Sequence, residues 1–359
     1  MGKLLSQLRK LEGAVDLAAS NPLANCLQTP SPAVNWSFAN IGHGLPFGYG
    51  MLLWGPPKGG KSIITNSLIG GLHAQDPEAV AITFNTELRG ALQTNVEQLK
   101  KWGVDPDRFI SYDVNQPEHI FDRIEKNIAA ACQEGEKVRM VVIDSLTGII
   151  GRRTLNADSI GTQQIGDQAL TIKDGLMRIL PVIRKYNIAL VCTAHVRAEM
   201  DPKEIARGKT VKMAAAWAAK HTFEYFCYVE PNRSKEGKTT LTGETFTNES
   251  VKDFMDHDQK TGHKIRFTVT ESSVGVAGRT AEFTLDYDKG IINQHEEIFT
   301  LATNYGIIER PNNVMYTYKD RTWRGLPATL AGLQSDENLQ RELLKAVYDK
   351  DLASGLVAR

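Results

Sequence analysis

The chain has 359 residues, with 42 basic and 42 acidic side chains, 42% hydrophobic residues and four cysteines. That length suffices for one large α/β domain with small terminal additions, and the cancelled charge excludes a global field drawing the whole molecule onto nucleic acid or a membrane. No apolar stretch approaches the ~18 residues of a membrane span, no signal-peptide core opens the chain, and Cys26, Cys132, Cys192 and Cys227 lack metal-ligand spacing, so a soluble, reduced, cytoplasmic protein is expected.

Residues 3 to 19 place Leu4, Leu5, Leu8, Leu11, Val15 and Leu17 at helical spacing, and residues 21 to 32 carry three prolines among Asn, Ser and Thr. Residues 1–32 therefore read as an N-terminal helix and linker. Between residues 50 and 195 apolar β-type runs alternate with helical patterns: Met51 to Trp54, Val80 to Phe84, Phe109 to Tyr112, Met140 to Ile143 and Ile188 to Cys192. Nearly continuous apolar strands separated by helices mean a buried, mostly parallel sheet. Runs at 223–229, 264–270 and 280–286, joined by polar turns, predict an antiparallel extension of that sheet, and residues 293–359 read as a small helical C-terminal region.

The first strand leads into Gly55-Pro56-Pro57-Lys58-Gly59-Gly60-Lys61-Ser62, and Ile63 opens a helix. A strand, a glycine-rich loop and a helix in this order form a P-loop, whose backbone amides and helix N-terminus cradle a phosphate chain. Lys61 is expected at the β- and γ-phosphates of ATP, and Ser62 on Mg²⁺.

The apolar run Met140 to Ile143 ends in Asp144, where a P-loop enzyme needs a carboxylate for the Mg²⁺ shell. The run Val80 to Phe84 is followed by Glu87, which either activates the attacking water or is an exposed acid in the first turn of the next helix. The strand Ile188 to Cys192 leads to His195 at the carboxyl edge, where ligands of open α/β sheets bind. His195 is either a contact to the γ-phosphate or a structural histidine.

Two further stretches carry arginine, lysine and glycine. Residues 151 to 166 contain Arg152, Arg153, Ile165 and Gly166, and residues 197 to 220 contain Arg197, Lys203, Arg207, Lys209, Lys212 and Lys220 against Glu199, Asp201 and Glu204. Each is either a surface loop or a grip on phosphates, and long loops within compact domains are commonly functional.

Taken together, these residues resemble the RecA family of strand-exchange recombinases, most closely the phage UvsX type. Beyond the ATPase motifs, the resemblance rests on Trp102-Gly-Val-Asp-Pro-Asp-Arg-Phe, Gly135-Glu-Lys-Val, Ala281-Glu-Phe-Thr-Leu-Asp-Tyr-Asp-Lys-Gly-Ile and Asn304-Tyr-Gly-Ile-Ile-Glu-Arg-Pro-Asn-Asn. It implies a RecA-like ATPase core over 33–292 and an N-terminal segment docked on a neighbouring subunit. It further implies Glu87 as catalytic glutamate, His195 as γ-phosphate sensor, residues 151–166 and 197–220 as the two DNA loops, and Ile165 as the residue wedged between bases.

The implied activity is ATP-dependent pairing and strand exchange in a helical filament on single-stranded DNA. Its expected partners are homologous duplex DNA, a single-strand binding protein and a loader protein, in a host cytoplasm if the chain is phage-encoded. Two rivals are a hexameric RecA-fold helicase and a nucleotide-regulated filament protein that exchanges no strands. The chain departs from the family pattern at Glu271 and Ser273, where relatives place a cationic pair reaching ATP across the subunit interface, with Lys264, Arg266 and Arg279 as nearby substitutes. It departs again at Gln98, where relatives stack an aromatic on adenine, and at Met213 to Trp217, where relatives carry glycines.

Overall fold

The computed structural model describes residues 21–57, 59–88, 95–155, 166–207, 210–214, 219–232, 238–240 and 260–358. The helix expected over residues 3–19, the tract beyond Ala214 to Trp217, and Lys58, Ile165 and Lys209 fall outside them.

The described strands are β1 Cys26–Leu27, β2 Leu45–Pro46, β3 Gly50–Gly55, β4 Val80–Asn85, β5 Phe109–Asp113, β6 Val138–Asp144, β7 Ala189–Ala198, β8 Val211–Met213, β9 Tyr225–Pro231, β10 Lys238–Thr240, β11 Lys260–Ser272, β12 Thr280–Asp286, β13 Gly290–Ile292, β14 Met315–Tyr318 and β15 Arg321–Arg324. The main sheet runs β13-β12-β11-β9-β3-β7-β6-β4-β5, with β10 added on β11 and β8 on β7.

The apolar strands are apolar throughout because both faces of the sheet are covered. Met51 and Leu53 of β3, Met140 and Val142 of β6, and Ala189 and Val191 of β7 enter one hydrophobic cluster. The residues between them, Leu52, Val141, Ile143, Leu190 and Cys192, enter the other. A period of two therefore divides each strand between two cores. The helix Asp167–Lys185 covers the second with Ile172, Leu176, Ile179 and Ile183, spaced for one helical stripe. Each fully buried Leu or Ile contributes roughly 1.5–3 kcal/mol.

From β5 through β6 and β7 to β9 the strands are parallel. The extension beyond residue 222 becomes antiparallel at β11; its first strand, β9, still runs parallel to β3, with Met51 opposite Tyr225.

Residues 293–359 add a hairpin, β14–β15, to the expected helices Gln294–Asn304, Leu326–Gln334 and Glu337–Ala353. Leu333, Leu339, Leu343 and Val347 share one hydrophobic cluster with β3 and β11. A buried polar knot reinforces that packing. Asp351 accepts from both Arg279 nitrogens at 2.8 Å and from Tyr305 Oη at 2.7 Å, and His43 Nε2 lies 3.2 Å away.

The four cysteines are free, with Cys26, Cys192 and Cys227 buried and Cys132 half-buried. Among the described residues, no helix is long and apolar enough to cross a membrane.

Candidate nucleotide and DNA site

The register of the parallel strands brings the chemistry to one edge. Gly55 lies opposite His195 on the β3–β7 pair, and Asn85 opposite Asp144 on the β4–β6 pair. The P-loop, Asp144, Glu87 and His195 thus meet at the carboxyl ends of β3, β6, β4 and β7.

The helix Lys61–Gln75 starts at Gly60, whose φ of +87° is a left-handed conformation. A Cβ there would also come within 2.4 Å of Leu285, so glycine is required twice over. No side chain caps the helix, which leaves its first-turn amides and positive end for an anion. The Lys61 ammonium is buried and donates to the carbonyls of Gly55 at 3.0 Å and Pro56 at 2.9 Å. Burial lowers its pKa, and the carboxylates of Asp144 and Glu87 oppose that shift.

Asp144 is held at both oxygens: Ser62 Oγ donates to Oδ2 at 2.7 Å, and Thr193 Oγ1 to Oδ1 at 2.5 Å. Among the described residues no three His, Cys, Asp or Glu side chains gather as a metal cage. A cation here would therefore rest on Ser62, Asp144 and the oxygens of its ligand, as Mg²⁺ does on a nucleotide. Amides, one ammonium and a hydroxyl–carboxylate pair form a donor set that fits a magnesium-bound triphosphate.

Glu87 is half-buried in the turn after β4, rather than exposed on a helix. Its Oε1 is hydrogen-bonded to His195 Nε2 and accepts from Ser145 Oγ at 3.1 Å. A carboxylate partner makes Nε2 the protonated nitrogen. His195 Nδ1 is buried and, among the described residues, has no hydrogen-bond partner.

Beyond His195, β7 continues to Ala198 and pairs antiparallel with β8, setting Val196 against Met213 and Arg197 against Lys212. The described part of the stretch 197–220 is therefore a hairpin capped by the short helix Pro202–Ala206, not an irregular loop. Its alternation is masked in the sequence because both strands are short and charged. Arg197 and Lys203 are exposed, while Lys212 is 2.6 Å from Glu199 and Arg207 is 2.6 Å from Glu204. In the other stretch, Arg152 and Arg153 lie on a short helix, Arg152–Leu155. Arg152 pairs with Glu118 at 2.7 Å, and Gly166 precedes the helix Asp167–Lys185.

Four side chains that the sequence sets near the nucleotide, Arg279, Lys264, Arg266 and Gln98, hold partners within the chain. The Arg279 guanidinium binds Asp351 and covers the Trp36 ring at 4.6 Å. Lys264 and Arg266 remain at the surface, the first 3.7 Å from Glu296 and the second 3.2 Å from Glu282. Gln98 donates to the Asp288 carbonyl at 2.5 Å, which commits its amide to the β12–β13 turn. Thr193 and Ser145 were not singled out by sequence. The one available signal was a hydroxyl directly following an apolar strand, which is common turn chemistry.

The family model for the RecA N-terminal domain matches residues 12–216, more than half of the chain. The chain belongs to the RecA family. It is 24% identical over 321 residues to the RecA protein of Pseudomonas putida, covering 88% of this chain and 79% of that protein. Similar RecA proteins occur in Paracoccus denitrificans, 22% identical over 309 residues with 85% and 75% covered, and in Wolbachia pipientis of Culex pipiens, 23% over 355 residues with 96% and 88% covered. The P-loop, Glu87, Asp144 and His195 all lie inside the matched segment.

Proposed function

We propose that this RecA-family chain is a DNA-dependent ATPase that forms helical filaments on single-stranded DNA and exchanges strands with homologous duplex, as recombinases of the phage UvsX type do. The observation that carries the reading is the hydrogen bond from His195 to Glu87. It ties the carboxylate at the nucleotide edge to the first residue of a basic hairpin.

In this reading the first-turn amides and Lys61 hold the phosphates. Ser62 and Asp144 hold Mg²⁺, which supplies positive charge to the phosphate oxygens. Thr193 fixes the orientation of Asp144. Glu87 Oε1, steadied by two donors, orients its carboxylate to take a proton from an attacking water. His195 Nε2–H lies between that carboxylate and the hairpin, so displacement of one moves the other. Arg152, Arg153, Arg197 and Lys203 meet DNA phosphates from the two stretches beside the site, with Arg207 and Lys212 contributing from the hairpin and Lys209 from the same stretch of sequence. Residues 3–19 dock on the neighbouring subunit, and a single-strand binding protein and a loader assist assembly.

A filament protein without strand exchange is the second reading. It is favoured by one observation: Glu271 and Ser273 provide no cation, and Arg279 is locked onto Asp351.

Electron microscopy with ATP and single-stranded DNA tests the assembly. Open helical filaments are expected, and closed rings would instead identify a hexameric helicase.

A further inference from the structure

Ser145 and His195 donate to the same oxygen, Glu87 Oε1. His195 leads to the 197–213 hairpin. Ser145 leads elsewhere. Thr147 Oγ1 is 2.7 Å from Ser145 Oγ; since the Ser145 proton is given to Glu87, the Thr147 hydroxyl donates to Ser145. The hydroxyl series Thr147–Ser145–Glu87 thus has one proton order, and such series strengthen cooperatively.

Thr147 is in turn held by the first turn of the helix Asp167–Lys185. Gln168 Nε2 donates to the carbonyls of Thr147 at 3.1 Å and Ile149 at 2.7 Å. Asp167 Oδ2 accepts from the amides of Arg153 and Thr154, both at 3.0 Å, and Thr171 Oγ1 accepts from the Arg152 amide at 3.1 Å. Gly151 passes so close that a Cβ would lie 2.2 Å from Asp167 Oδ2. The two ends of the 151–166 stretch are therefore clasped together. The clasp connects to the catalytic carboxylate through side-chain hydrogen bonds.

We propose that Thr147 and Gln168 are positioning residues that couple Glu87 to the 151–166 stretch, a second arm independent of His195. The proposal rests on the reading of that stretch as a DNA contact and of Glu87 as the carboxylate that answers to nucleotide. A nucleotide that pulls Glu87 toward it moves Ser145 and Thr147, and Gln168 passes the displacement to the base of the clasp. By reciprocity, DNA held at the clasp biases Glu87.

The test compares the affinity of a fluorescent single-stranded oligonucleotide in a non-hydrolysable ATP analogue with that in ADP. Three variants are used: Thr147→Val, which keeps the branched shape but not the donor, Thr147→Ser, which keeps the hydroxyl, and Gln168→Glu, which sets a carboxylate against two carbonyls. The parental protein is expected to prefer the analogue state. Thr147→Val and Gln168→Glu should each reduce that preference by about 5-fold or more, with nucleotide affinity in the absence of DNA and thermal melting unchanged, and Thr147→Ser should restore it. A folded Thr147→Val and a folded Gln168→Glu that both keep the parental preference overturn the second arm. Equal loss in Thr147→Val and Thr147→Ser overturns the hydroxyl relay. A parental protein with no preference overturns the DNA reading beneath it instead.

Discussion

His195 and Glu87 are 108 residues apart in the chain and hydrogen-bonded across the carboxyl edge of the sheet. Neither is on a neighbouring strand of the other: β6 lies between β4 and β7. The contact is made because Glu87, in the turn after β4, meets His195 of β7 across the end of β6, where Ser145 Oγ donates to the same carboxylate oxygen.

Replacing Glu87 with Gln keeps the shape and the hydrogen bonding but removes the base. We expect Glu87→Gln to bind ATP and single-stranded DNA while losing at least about 100-fold in ATP turnover, the usual contribution of a positioned base. Phosphate release measured beside nucleotide binding checks this. Hydrolysis at the parental rate would reject the assignment.

The role of His195 requires an N–H facing the carboxylate, not a charge. His195→Gln should therefore retain most of the DNA stimulation of ATP hydrolysis, and His195→Ala should lose it, with unstimulated hydrolysis affected less. The measurement is the ratio of rates with and without saturating single-stranded DNA. Equal behaviour of the two variants would contradict the relay.

The Asp351 knot predicts a stability effect remote from the site. Burial alone would raise the Asp351 pKa, but hydrogen bonds from His43, Arg279 and Tyr305 hold it well below the usual carboxylate range. Asp351→Ala leaves the Arg279 guanidinium, 10% exposed, without its partner. Stranding one member of a buried pair costs about 3–5 kcal/mol, so the urea midpoint should fall by an amount matching that loss, with the slope unchanged. A depressed folded-state pKa also means that this stabilisation is present above the ordinary value of 3.8 and is lost as pH falls below it.

Glu297 has the opposite sign. It is fully buried, Ser31 Oγ donates to it at 2.5 Å and the Ala33 amide at 3.0 Å, and burial pushes its pKa up to about 8 from 4.5. Between those values the folded chain keeps a proton that the unfolded chain has released, so stability falls as pH rises through the window and levels off above it. Denaturation across pH 5 to 8 should show this slope, and Glu297→Gln should flatten it. A slope that survives the substitution would show that Glu297 is not its source.

Much of this architecture is legible in the chain. The double-faced apolar runs specify the buried parallel sheet, and the P-loop specifies the edge that binds phosphate. Glu87, Asp144 and His195 are legible as strand-end residues because that edge is where such sheets take ligands. Their mutual contact is not, since it depends on the register of three strands brought together across 108 residues. The hairpin after His195 was hidden by charge: Arg197 and Lys212 oppose each other at the hairpin's base, and a short charged ladder carries little alternating pattern. Hairpin β14–β15 is hidden among helical signals, and the pairing of Arg279 with Asp351 is not legible because the two are 72 residues apart.

Salt dependence separates the exposed cations from the paired ones. Log affinity for single-stranded DNA should fall linearly with log salt, and Arg197→Ala or Lys203→Ala should each reduce that slope by about 1. Lys212→Ala should change it less, because Glu199 already neutralises that ammonium. Equal slopes for all three would mean that the ion pair with Glu199 opens on DNA.

Strand exchange between a circular single strand and a homologous linear duplex, run with ATP and magnesium, tests the proposed function most directly. Joint molecules and nicked circular product, dependent on ATP and abolished by Lys61→Ala, are the predicted result. DNA-stimulated ATP hydrolysis with no joint molecules would contradict the recombinase reading and leave a filament protein that binds DNA without exchanging it.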